Sequence, residues 1–224
     1  LLIVLIGTIG VAMLYSVEGG AWDPYASRHA LRFSLGFAVM LLVALFPPRF
    51  WMGLAYPAYL GALILLIGVE LFGVTAMGAQ RWLEIGPIRM QPSEFMKIAL
   101  VLALARYYHD LPEEKVSSLG GLMIPAFMIG APMGLIIMQP DLGTSLLLAA
   151  TGAAIVFMAG LSWWVILGAS IFGVAGAAVY LQYFIEPYQL ERIQTFLNPE
   201  SDPMGAGYQI LQSKIAIGSG GVAG

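Results

Sequence analysis

From Leu119 to Met138 the chain reads LGGLMIPAFMIGAPMGLIIM, without a single charge, and Gln139-Pro140-Asp141 then leads directly into a second apolar run, Leu142–Leu161. A helix that crosses a bilayer needs about 20 mainly apolar residues at a rise of about 1.5 Å each. These two runs therefore read as spans joined by almost no loop. Working outward, the same pattern recurs at Leu1–Val17, Leu31–Pro47, Trp51–Phe72, Pro92–Tyr108 and Trp163–Phe184. The expected fold is all-α: a polytopic transmembrane helical bundle with about seven spans over residues 1–184. A polar segment, residues 185–224, follows it.

Composition agrees. The 224 residues are 59% hydrophobic and 10% charged, and mean hydropathy is +0.85. A soluble domain carries about 25% charged residues. There is no cysteine, hence neither a disulfide framework nor a thiolate metal site. A net charge of −3 leaves no basic footprint for nucleic acid. Leu1 opens inside an apolar run and Gly224 falls in a glycine-rich stretch, so we expect the N-terminal part of a longer protein.

Local punctuation supports the spans. Pro47-Pro48 ends the second, because proline cannot donate in the helix ladder. Pro92 suits the first turn of the fourth, with Glu94 where the helix dipole favours negative charge. Trp51, Trp82, Trp163, Trp164, Tyr107 and Tyr108 lie near span ends, as interfacial aromatics do. Residues 73–91, with Arg81-Trp82-Leu83-Glu84-Ile85, are too charged to cross and are expected at the interface. Lysine and arginine counts, with Arg28, Arg32, Arg81, Arg89, Arg192 and Lys214 against Arg49, Arg106 and Lys115, would put the polar C-terminal segment in the cytoplasm.

Four polar constellations stand out. Glu94 and Lys97 share a helix face three residues apart, as a structural ion pair or as groups facing a polar cavity. Arg81 and Arg89 are suited either to clamping a phosphate or to snorkelling at the interface. Asp141 reads equally as an N-cap of the sixth helix and as a cavity carboxylate; Glu70 reads as interfacial. In the last segment Glu186, Glu191, Arg192, Glu200 and Asp202 could be no more than a solvated charge run. Asn198-Pro199 and Asp202-Pro203 are turn formers, however, and Gly205 and Gly207 permit close backbone approach. A carboxylate in such a turn, Asp202 above all, can accept a proton. Gln209, Gln212, Ser213 and Lys214 alternate with Ile210, Leu211, Ile215 and Ile217, the pattern of a short helix returning to the membrane. His29 and His109 stand alone, so no histidine metal site is visible.

Taken in order, Gly78-Ala79-Gln80-Arg81-Trp82, Gln91-Pro92-Ser93-Glu94 with Lys97, Gln139-Pro140-Asp141-Leu142-Gly143-Thr144, and Asn198-Pro199 through Gly205-Ala206-Gly207-Tyr208-Gln209 and on to Gly221 resemble the SEDS family (shape, elongation, division and sporulation). Gln212-Ser213-Lys214 is nearer the rod-shape branch than the division branch. The resemblance implies ten spans, of which these are about the first seven, with a cytoplasmic N-terminus and an extracytoplasmic loop after the seventh. We adopt that orientation over the charge count. It also implies a peptidoglycan glycosyltransferase of the bacterial inner membrane, polymerising lipid II beside a class B penicillin-binding transpeptidase. Asp202 matches the family's essential loop aspartate, Glu94, Lys97 and Asp141 its polar membrane positions, and Arg81 an arginine beside its central cavity. Asp202 would then be the general base, with Arg81, Lys97, Lys214 or a divalent cation facing the departing diphosphate. The rivals are a scaffold for the transpeptidase and a lipid II flippase. A flippase would favour broken helices and an internal repeat, and neither is visible.

Overall fold

A computed structural model describes residues 1–76, 79–86, 88–183, 185, 187–205 and 207–219. Met77, Gly78, Phe184, Glu186, Ala206 and residues 220–224 of the motifs and spans above lie outside the described residues, as does the Arg192 side chain. The chain divides into two compact units, Leu1–Leu161 and Ser162–Gly224.

The first unit is built from α1 (Leu2–Val17), α2 (Tyr25–Leu45), α3 (Pro48–Phe72), α4 (Pro92–Asp110), α5 (Leu119–Met138) and α6 (Leu142–Met158). Each covers one of the apolar runs. α2, α3 and α5 are long and apolar enough to cross a membrane; α1 and α6 are shorter apolar helices. α4 carries Glu94, Lys97, Arg106 and Asp110 and is the least greasy of the six. Pro47 caps the start of α3 in extended backbone with Pro48 in its first turn, and Pro92 opens α4. Proline there removes only an N–H that had no helical partner.

Packing centres on α4, which lies against α3, α5 and α6. Leu66, Met96, Leu100, Leu104, Ile136 and Leu148 are fully buried. Lipid tails are as apolar as leucine, so close approach and shape, rather than release of water, hold such helices together. Glycine supplies that closeness. A Cβ at Gly152 on α6 would come within 2.6 Å of Ile129 on α5, and one at Gly7 on α1 would run into the Phe33 ring on α2. Tyr59 of α3 donates to the Met128 carbonyl of α5 at 2.9 Å, a buried tie within the helix layer.

Residues 73–91 are not simply interfacial coil. They contain a three-stranded antiparallel sheet: β1 (Val74–Ala76), β2 (Ala79–Ile85) and β3 (Ile88–Met90), in that order. Val74 faces Trp82 and Thr75 faces Gln80, with a bulge between; Glu84 faces Arg89 across the second ladder. Gly86 takes φ +61° in the β2–β3 turn, a conformation glycine adopts without strain. The sheet packs on the ends of α3 and α4. The all-helical class holds, with this small sheet added to it.

The second unit has α7 (Trp163–Tyr183), also long and apolar enough to cross, then α8 (Pro187–Leu197), a short 3-10 turn at Pro199–Ser201, and α9 (Tyr208–Ser219). The expected short helix is α9. The sequence reading did not foresee α8, whose Tyr180–Gln189 hydrogen bond of 2.9 Å ties it back to α7.

Candidate functional site

In the first unit, the polar side chains singled out from the sequence gather at one end of the helix layer. β2 touches the N-terminal end of α4, and α4 packs on α6, whose first residues follow the α5–α6 corner. Among the described residues of this unit the buried polar ones are Ser93, Gln139, Asp141 and Ser145, all at this end.

Asp141 caps α6. Its carboxylate accepts from the Thr144 backbone N–H at 3.2 Å and from the Thr144 hydroxyl at 2.9 Å. It is also ion-paired: Arg81 Nε lies 3.5 Å from Asp141 Oδ2, and Arg81 Nη2 donates to the Pro140 carbonyl at 2.9 Å. Only 10% of the Asp141 side chain and 25% of the Arg81 side chain reach solvent. The cap reading of Asp141 is thus seen in the geometry, and the same carboxylate is paired with Arg81. Two of the Arg81 nitrogens are directed at the α5–α6 corner.

Lys97 donates to Glu94 at 2.8 Å, the pair that their spacing of three predicts. It is much more open, Glu94 being 57% exposed. Arg89 lies 3.6 Å from Glu84 and 4.8 Å above the Trp82 ring, so the sheet holds it as a cross-strand pair. Glu70 is exposed near the end of α3. Two residues escaped notice: Gln80 donates to the Val69 carbonyl at 2.9 Å, and the buried Gln139 to the Leu66 carbonyl at 3.1 Å. Both stand inside quoted motifs, which was the available signal.

In the second unit, Asp202 follows the 3-10 turn and is exposed. Its Oδ1 accepts from the Gly205 N–H at 3.0 Å, and its backbone carbonyl accepts from Gly207 N–H at 3.1 Å. A Cβ at 205 would run into the Asp202 carboxylate, and one at 207 into the Pro199 carbonyl. The two glycines thus do what their sequence context suggested: they let the backbone close around the carboxylate. Lys214 is exposed on α9. Among the described residues no group of three or more His, Asp or Glu side chains is placed to hold a metal ion.

Apolar helices around a small polar cluster define an integral membrane protein with a polar, partly buried site at one end of its helices. The profile of the family described as "Cell cycle protein" (FtsW, RodA and SpoVE) matches residues 1–224. The chain belongs to this SEDS family. It is 44% identical over 193 residues to peptidoglycan glycosyltransferase MrdB of Escherichia coli K12, covering 85% of this chain and 51% of that protein. It is 36% identical over 200 residues to probable peptidoglycan glycosyltransferase FtsW of Idiomarina loihiensis, covering 89% and 48%. Among solved structures it is similar to a chain from "Structural coordination of polymerization and crosslinking by a peptidoglycan synthase complex" at TM-score 0.75 and 35% identity, covering 98% of this chain and 65% of that one. Rod shape determining protein RodA of Thermus thermophilus is similar at TM-score 0.64 and 32% identity, covering 78% and 56%. The chain spans about half the length of the curated relatives it matches.

Proposed function

We propose that the full-length protein is a peptidoglycan glycosyltransferase of the bacterial inner membrane, polymerising lipid II for wall elongation beside a class B penicillin-binding transpeptidase. The observation that carries the reading is the likeness of most of this chain to proteins named as peptidoglycan glycosyltransferases. The partner is suggested by the peptidoglycan synthase complex among the similar structures.

The chemistry is displacement at an anomeric carbon. The acceptor sugar's 4-hydroxyl attacks, its oxygen forms the new glycosidic bond, and its proton passes to Asp202. The bond from the anomeric carbon to the lipid diphosphate breaks, and the diphosphate leaves with the electron pair. Attack opposite the leaving group turns an α-linked donor into a β-linked product. Asp202 suits the role of base because it is accessible and its orientation is set by Gly205 rather than left to a free rotor. The positive charge facing the departing diphosphate comes from Arg81, Lys97, Lys214 or a divalent cation. The orientation carried over is the one the family resemblance implies, with the N-terminus cytoplasmic and the Asp202 loop extracytoplasmic.

The test is glycan polymerisation from purified lipid II by the full-length protein with its transpeptidase, resolved on gels. Asp202→Asn removes the base but keeps an oxygen able to accept from Gly205, so the turn survives. The expected loss is at least about 100-fold, the lower end of what a positioned base contributes. Polymerisation by Asp202→Asn at the wild-type rate would overturn the base assignment.

A further inference from the structure

We infer that Gln80 and Gln139 are positioning residues that hold Arg81 in place. The two carbonyls they engage, Val69 and Leu66, lie three residues apart on α3 and so on one helix face. Each glutamine is next, or next but one, to a member of the Arg81–Asp141 pair. The result is a closed ring of contacts. α3 holds Gln80; β2 passes to Arg81; Arg81 reaches Pro140 and Asp141; the corner returns through Gln139 to α3.

Neither glutamine is needed to satisfy its helix carbonyl. Val69 O already accepts from Gly73 N–H at 2.8 Å, and Leu66 lies far enough inside α3 to have its own helical donor. What the amides add is attachment of two separate segments to one rigid helix end. Gln139 is 3% exposed, so an amide left without a partner there would carry a full desolvation penalty, which keeps it on its carbonyl. Arg81 has Nη2 on the Pro140 carbonyl and Nε facing Asp141, and Nη1 makes no hydrogen bond among the described residues. Nε is buried without a hydrogen bond among the described residues and faces the carboxylate only as an ion pair, so the guanidinium is anchored through Nη2 on the Pro140 carbonyl and held beside Asp141 by charge. Pre-organised charge of this kind favours an anion without reordering at the moment of binding.

The ligand class rests on the proposed function: an anionic diphosphate-linked lipid headgroup meeting the open edge of Arg81. The ring itself does not depend on that reading, so two measurements on the full-length protein separate them. A nitroxide attached at Glu84→Cys, an exposed position on β2, reports sheet mobility by electron paramagnetic resonance. Gln80→Met and Gln139→Met keep side-chain length and remove the donor. Each is expected to loosen the label and to raise KM for purified lipid II about fivefold, the equivalent of one neutral hydrogen bond, with kcat within twofold. Combined with Asp141→Asn, Gln139→Met should add less than its separate effect, because both act through Arg81. An unchanged label spectrum in both variants overturns the ring. A loosened label with unchanged KM, or a fall in kcat and thermal stability with KM constant, overturns the positioning of Arg81. If the wild-type protein makes no glycan strands, the proposed function fails, and the label spectrum alone decides the ring.

Discussion

Replacing Asp141 separates two contributions that converge on one carboxylate. Asparagine caps helices as well as aspartate does, so Asp141→Asn keeps an acceptor for the Thr144 N–H but loses the charge facing Arg81 and the second oxygen that accepts from the Thr144 hydroxyl. Asp141→Ala loses the N–H acceptor as well. Loss of an N-cap costs about 1 kcal/mol. Removing one partner of a fully buried ion pair costs about 3–5 kcal/mol, but Arg81 keeps a quarter of its side chain in solvent and the contact is long at 3.5 Å. Solvent screening and the surviving bond to the Pro140 carbonyl bring the charge contribution to about 1–2 kcal/mol. The expected order of stability is wild type, then Asn lower by about 1–2 kcal/mol, then Ala lower by about 2–3 kcal/mol. The shift is about 2–4 °C per kcal/mol for 150–250 residues and smaller for the longer full-length protein, so the variants should separate by a few degrees in its thermal melt in one fixed detergent. Equal melting of Asn and Ala would show that the Thr144 cap contributes nothing. Equal melting of Asn and wild type would remove the ion pair from the account.

Other consequences are checked in the same preparation. Gly152→Ala should lower the melting temperature, since its Cβ would meet Ile129 at 2.6 Å and overpacking costs about 1–3 kcal/mol, whereas Gly143→Ala, with open space around it, should lie close to wild type. Glu94→Gln and Lys97→Met remove an exposed pair, so stability should change by less than about 1 kcal/mol. Lipid II polymerisation should nevertheless fall at least tenfold in Lys97→Met if its charge serves the diphosphate; parallel small losses in both would reduce the pair to a structural contact.

What could be read in the sequence divides by the distance over which each feature is decided. The run 119–138 declares itself because twenty uncharged residues permit little else, and Pro92 marks a helix start through its own missing donor, whereas Pro47-Pro48, read as the end of the second span, also opens α3 three residues before the expected Trp51. The Glu94–Lys97 pair and the Thr144 cap on Asp141 are equally legible, as both close within three residues. The sheet was not. β1 and β3 are three residues each, too short for an alternation to be counted, and what defines them is the register of Glu84 on Arg89 and Val74 on Trp82. α8 hid for a related reason: its apolar Leu190, Ile193 and Leu197 are diluted by charge, and exposed polar sequence reads as loop. The candidate site shows the division most clearly. Arg81 and Asp141 each stood out alone, yet nothing local joins residues sixty positions apart, and only the folded chain makes them one unit. That union alters the chemistry expected of Arg81. An arginine anchored to the Pro140 carbonyl and facing a carboxylate has less charge to offer an incoming diphosphate than a free one would. Under the proposed function it would have a fixed direction in return, suited to orienting a phosphate rather than to attracting one from a distance.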